Sequence, residues 1–202
     1  MAYFSVLFIT TKNIKKDFPQ DSFGQTIVDI LQHIEHPFYK EHAIHAEIII
    51  NNTAYSAVGL PPDQCVRCYT PNPRLATYDC VEIYHIPLTD PDKAQSFLDK
   101  AVNTPATYAI PVLDFLMPKF ILDLVNKDYE CGKPSTWAHL YCSQFALLFI
   151  RYCRQNGLLD LPGRDLSLVD PWFINSNKCS PMDLMHILNQ WDLPRNKSLA
   201  KL

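Results

Sequence analysis

The sequence predicts an α+β domain, and three observations predict it. Stretches rich in Val, Ile and Tyr, bounded by Asn and Pro, fill the chain from about residue 43 to 87. Apolar residues at helical spacing dominate from residue 90 onward. The 16 prolines are scattered rather than gathered into a linker, so one domain spanning residues 1–202 is the simplest organisation. With 202 residues, 48% hydrophobic and 19% charged, the chain is long and apolar enough to bury a real core.

Phe4 to Thr10 reads as a first strand. A helix follows from about Ser22, a plausible cap, to Ile34, with Ile27, Ile30, Leu31 and Ile34 along one face. Ala43 to Ile50 reads as a buried strand and Thr53 to Val58 as its hairpin partner. Asn51-Asn52 forms the turn, because Asn tolerates the positive φ that tight turns require. Cys65 to Tyr69 and Tyr78 to Pro87 are two further strands, separated by the breaker run Thr70-Pro71-Asn72-Pro73.

Asp90-Pro91 opens a helix running to about Val102. The apolar stretch Val112 to Val125 is interrupted by Pro118 and reads as two short helices. Phe145, Ala146, Phe149 and Cys153 fall on one helical stripe headed by Cys142, in a helix running to Arg154 and closed by Gly157. Ser180-Pro181-Met182-Asp183 starts a last helix by the cap-then-proline rule.

Several function classes are disfavoured at once. The 18 basic and 21 acidic residues give a net charge of -3, which lacks the electrostatic footprint of a nucleic-acid binder. No apolar run reaches the ~20 residues of a membrane span, and Tyr3 to Ile9 is too short, and lacks the basic flank, for a secretory signal. Seven cysteines, an odd and scattered set, read as free thiols in a reducing compartment, so an intracellular, cytoplasmic location is expected. Ala200-Lys201-Leu202 is similar to a peroxisomal tripeptide address. Gly132-Lys133-Pro134-Ser135 lacks the pattern of a phosphate-cradling loop, so nucleotide-dependent chemistry has no support, and no organic cofactor is implied. Nor is a metal: Cys65-x-x-Cys68, with Cys80, His85 and Cys131 as further possible ligands, places its two thiols on opposite faces of a strand.

A nucleophilic thiol needs a lowered pKa and a base that can take its proton and return it. Cys142 sits at a helix start, and His45 lies on a buried strand that would hold an imidazole rigidly. His139 approaches the thiol only if the helix begins as early as Ser135.

The order of these segments carries a resemblance. His45 to Ile48 matches a His-hydrophobic-x-hydrophobic strand, Tyr141 to Ala146 a Tyr-Cys-Ser-x-x-aliphatic helix start, Arg67 a Val-Arg strand, and Ser180 to Leu184 a Ser/Thr-Pro-x-Asp-Leu helix. In this arrangement the chain resembles the circularly permuted papain-fold cysteine hydrolases of the NlpC-like superfamily. The YiiX-like branch, which includes poxviral proteins, is nearest, and the lecithin:retinol acyltransferase-like enzymes are more distantly similar. The resemblance covers residues 4–188 and leaves 189–202 as a C-terminal tail.

It implies a permuted papain-like fold and an intracellular thiol hydrolase or acyltransferase with Cys142 as nucleophile and His45 as base. The oxyanion would be met by the Cys142 backbone N–H. The expected substrate is a lipid or acylated protein, ahead of an unmodified peptide or isopeptide. Peripheral membrane contact through residues 111–125 is compatible with this. The family's third member, a Glu or His, falls here at Ser56, which carries no charge; Glu47, on the same strand face as His45, is the other residue that can orient the imidazole. A catalytically inert binding module that keeps the fold is the alternative from another class.

Overall fold

The computed structural model describes residues 2–11, 42–57, 66–69, 80–104, 107–108, 131–136 and 139–199. Six strands form one antiparallel sheet: β1 (Ala2–Thr11), β2 (His42–Ile50), β3 (Thr53–Ala57), β4 (Val66–Tyr69), β5 (Cys80–Leu88) and β8 (Arg195–Leu199), in the order β4-β3-β2-β1-β5-β8. Two short strands, β6 (Thr107–Tyr108) and β7 (His139–Leu140), pair in parallel just before the helix that begins at Cys142. Three helices, α1 (Pro91–Val102), α2 (Cys142–Gln155) and α3 (Pro181–Gln190), pack against the sheet.

Strand alternation explains how β1 comes to lie at the centre. Phe4, Val6 and Phe8 point to the face that receives the helices, where they join Ala46, Ile48, Ile50, Tyr84 and Ile86 in the main core. Leu7 and Ile9 point the other way and cluster with Ile44, also buried, so β1 is apolar on both faces. Phe4 meets Phe149 of α2 edge to face at 4.9 Å, which ties the helix that starts at Cys142 to the central strand.

The hairpin turn is as the sequence predicts: Asn51 and Asn52 adopt φ of 46° and 59°, the left-handed pair that Asn tolerates best after Gly. Asp90 caps α1 by accepting from the Lys93 N–H, and Ser180 and Asp183 form a reciprocal capping box at α3. Gly157, with φ of 65°, follows the end of α2.

One expectation needs correction. Residues 189–202 are not simply a tail, since Arg195–Leu199 pairs with β5 over five residues and forms the sheet edge. Asn196 and Arg195 are exposed there, as suits an edge strand protected by polar residues. The helix expected over residues 22–34, the apolar stretch 112–125 and the tripeptide at 200–202 lie outside the described residues. Among the described helices, none is long and apolar enough to cross a membrane.

Candidate active site

Two irregularities in β2 build the site. The first is a bulge: Ile9 pairs with His45 and Thr10 with Ala43, so Ile44 stands in the strand without a partner in the ladder. The extra residue comes immediately before His45. The second is a parting of strands. The β2–β3 ladder ends at Ile48↔Tyr55, while β3 goes on to pair with β4 as far as Ala57↔Val66. Beyond that point Ala46 has no ladder partner on the β3 side, and its backbone groups turn to side chains. Its carbonyl accepts from Ser56 Oγ at 3.1 Å, and its N–H donates to the Cys142 sulfur.

Cys142 is the first residue of α2, after an extended Tyr141 with φ of -127° and ψ of 170°. The Ser143 N–H, one of the amides a helix leaves unbonded at its start, also donates to the sulfur. The thiol is joined to His45 by a side-chain hydrogen bond. His45 Nε2 lies 3.1 Å from Glu47 Oε1 and 3.1 Å from Ser56 Oγ. All four residues are buried, with Glu47 and Ser56 almost wholly so.

Burial is the largest influence on both titrating groups and opposes charge on each, lowering His45 and raising Cys142. The mutual attraction of thiolate and imidazolium, the hydrogen bond between them and the Glu47 carboxylate overcome it. His45 is pushed up to about 10, and the Cys142 thiol is held below its ordinary 9.0, with the Ala46 and Ser143 amides adding to the effect. Cys153, eleven residues along the same helix, is pushed up by burial. Each group therefore favours the charged form of the other.

All four site residues expected from the sequence, Cys142, His45, Glu47 and Ser56, come together. Glu47 supplies the charge that Ser56 lacks, and Ser56 bonds the same imidazole nitrogen while holding the Ala46 carbonyl. Arg67 lies across from Ser56 in the β3–β4 ladder. The helix starts at Cys142 after the short strand β7, so the alternative in which His139 belongs to the helix does not hold.

Of the residues in the metal reading, Cys68 is exposed on β4, His85 bonds Ser5 Oγ at 2.9 Å and the Cys131 thiol donates to Gln155 Oε1 at 3.0 Å, while Cys65 and the Cys80 side chain lie outside the described residues. Among the described residues no three His, Cys, Asp or Glu side chains are grouped as metal ligands. A cavity of about 310 Å³ lined by Arg151, Arg154, Gln155, Asp170 and Pro171 lies toward the far end of α2 from Cys142.

Sequence reasoning missed the Ala46 amide, whose role depends on where β3 leaves β2, and the loop that braces α2. Arg151, buried in mid-helix, donates to the carbonyls of Val169 and Ile174 and so fastens that loop along the helix. An arginine amid apolar residues, in Phe149-Ile150-Arg151-Tyr152, is the signal that could have found it. No family model, curated protein or solved structure matches the chain.

Proposed function

We propose that the protein is a cysteine hydrolase or acyltransferase in which Cys142 is the nucleophile and His45 the general acid and base. The observation that carries this reading is the buried Cys142–His45 pair, with His45 Nε2 held 3.1 Å from the Glu47 carboxylate. A permuted papain-like fold belongs to the same proposal, supported by an antiparallel sheet that carries the base and a packed helix that starts at the nucleophile.

In this mechanism the Cys142 thiolate attacks the acyl carbon of an ester, thioester or amide. The carbonyl π pair moves to oxygen, and the Cys142 N–H at the helix start stabilises the oxyanion. Nε2 is taken by Glu47 and Ser56, which leaves Nδ1 of His45 to face the reacting groups. When the oxyanion collapses, the bond to the leaving group breaks and the His45 imidazolium donates its proton to that group. A thioester on Cys142 remains. Neutral His45 then takes a proton from water or an acceptor alcohol or amine as it attacks the thioester, and the thiolate is released beside a regenerated imidazolium. Glu47 stabilises the imidazolium throughout and Ser56 fixes its ring plane.

The substrate class is a lipid or acylated protein ahead of an unmodified peptide. Its support is a reading of the chain as an intracellular thiol protein rich in apolar and aromatic residues. Incubation with phospholipids, acyl-thioesters and isopeptides, followed by intact-mass analysis, is expected to trap an acyl adduct on Cys142 that hydroxylamine removes. Peptide cleavage without a lipid-derived adduct would overturn the substrate class and spare the mechanism. No adduct or turnover with any of these classes would favour the inert binding module.

A further inference from the structure

The motif that opens α3 has a residue its capping box does not use. Ser180 and Asp183 satisfy each other's backbone and Pro181 suits the first helical position, but Met182 has no part in the cap. Its sulfur accepts the Ala43 N–H at 3.0 Å, on β2 beside the bulge and two residues before His45. Just ahead of the cap, the Cys179 carbonyl accepts from Ser143 Oγ at 2.6 Å, and Ser143 is the residue after the nucleophile. Tyr141 Oη donates to the Ser176 carbonyl at 2.8 Å, and Gln144 Nε2 to Asn177 Oδ1 at 2.6 Å. These groups are buried. One short segment thus grips the start of the nucleophile's helix on one side and the strand of the base on the other.

We propose that Ser176–Met182 is a clamp that sets the separation of Cys142 from His45, with Ser143 and Met182 as positioning residues. The proposal rests on the Cys142–His45 reading of the site. The physical need is plain. The bulge shifts the register of β2 against β1 just ahead of His45, and the attraction that favours the ionised thiol weakens as the two groups move apart. A displacement of about 1 Å can cost up to ~10²-fold in rate. The thioether accepts the Ala43 amide without a charge or a second polar group to satisfy, so it holds the strand from within the core.

The test uses the full chain and follows alkylation of Cys142 by iodoacetamide against pH, read by peptide mass. Met182→Leu keeps an apolar side chain and removes the acceptor; Ser143→Ala removes the hydroxyl, and Ser143→Thr restores it. Met185→Leu, on the same helix, is the control. Met182→Leu and Ser143→Ala are each expected to move the acid limb of the profile up by about one pH unit, roughly tenfold slower alkylation at pH 6. Ser143→Thr is expected to recover most of that loss, and Met185→Leu to keep the wild-type profile.

Folded Met182→Leu and Ser143→Ala proteins whose profiles superimpose on wild type would overturn the clamp, as would an equal shift in Met185→Leu. Should Met182→Leu fail to fold, the Ser143→Ala and Ser143→Thr pair decides. His45→Ala runs alongside. A wild-type Cys142 that titrates at its ordinary value, unmoved by His45→Ala, would defeat the site reading and the clamp with it. A clamp that fails alone leaves the wild type acid-shifted and only its own variants silent.

Discussion

Replacing Glu47 by Gln keeps the side-chain volume and an oxygen within reach of His45 Nε2 but removes the charge that faces the imidazolium at 3.1 Å. A hydrogen bond to a charged group contributes about 1.5–3 kcal/mol, and one pKa unit corresponds to about 1.4 kcal/mol. The imidazolium should therefore lose about one to two units of proton affinity, bringing His45 from about 10 to about 8–9.

The sign follows from linkage. His45 is raised on folding, so the stability its charge contributes is complete below its ordinary 6.5 and is lost as the pH rises through about 10. Cys142 is lowered, so its contribution is present above 9.0 and is lost as the pH falls through its depressed value. Glu47→Gln should narrow the window in which both charges stand. The assay is turnover of an acyl-thioester, or Cys142 alkylation, between pH 4 and 11, with circular dichroism to verify the fold. An alkaline limb that stays near 10 in a folded Glu47→Gln protein would refute the role given to this carboxylate.

Further outcomes can be checked with simple variants. His45→Ala removes the partner that holds the thiol below its ordinary value, so Cys142 alkylation at pH 6 should fall by at least about tenfold, a shift of one unit or more, measured by quenched-flow labelling. Ser56→Ala leaves the buried Ala46 carbonyl without its donor and should cost about 1–3 kcal/mol of stability in urea unfolding, with a smaller loss of activity than Glu47→Gln. Arg151→Met abandons two carbonyls that the guanidinium now holds, at Val169 and Ile174, and should cost about 2–4 kcal/mol by the same measurement.

The parts of the fold that were legible in the sequence are those written locally. Asn51-Asn52, Asp90-Pro91 and Ser180-Pro181-x-Asp183 each encode a turn or cap within four residues, and each stands where it was expected. The helix headed by Cys142 was legible because its apolar stripe repeats at helical spacing. Edge strand β8 was not. Arg195-Asn196-Lys197-Ser198-Leu199 has neither alternation nor β-branched residues, and only its pairing with β5 makes it a strand.

The site divides in the same way. Cys142 and His45 announce themselves by residue type and element. The choice between Glu47 and Ser56 depends on a long-range fact, the parting of β2 and β3 after Ile48↔Tyr55, which lets both residues reach one imidazole nitrogen. The contact of Met182 with Ala43 joins residues 139 apart in the chain, and no local pattern could have revealed it.

The most direct test is the ionisation of Cys142 itself. Thiolate absorbance at 240 nm, taken as the difference between wild type and Cys142→Ser across pH 4 to 10, reports that one group. A thiolate that forms below the ordinary 9.0 and is already present near neutral pH is expected, as is its disappearance from the neutral range in His45→Ala. A difference spectrum that rises only at or above pH 9, the same with and without His45, would mean that Cys142 is a buried core thiol and would contradict the account.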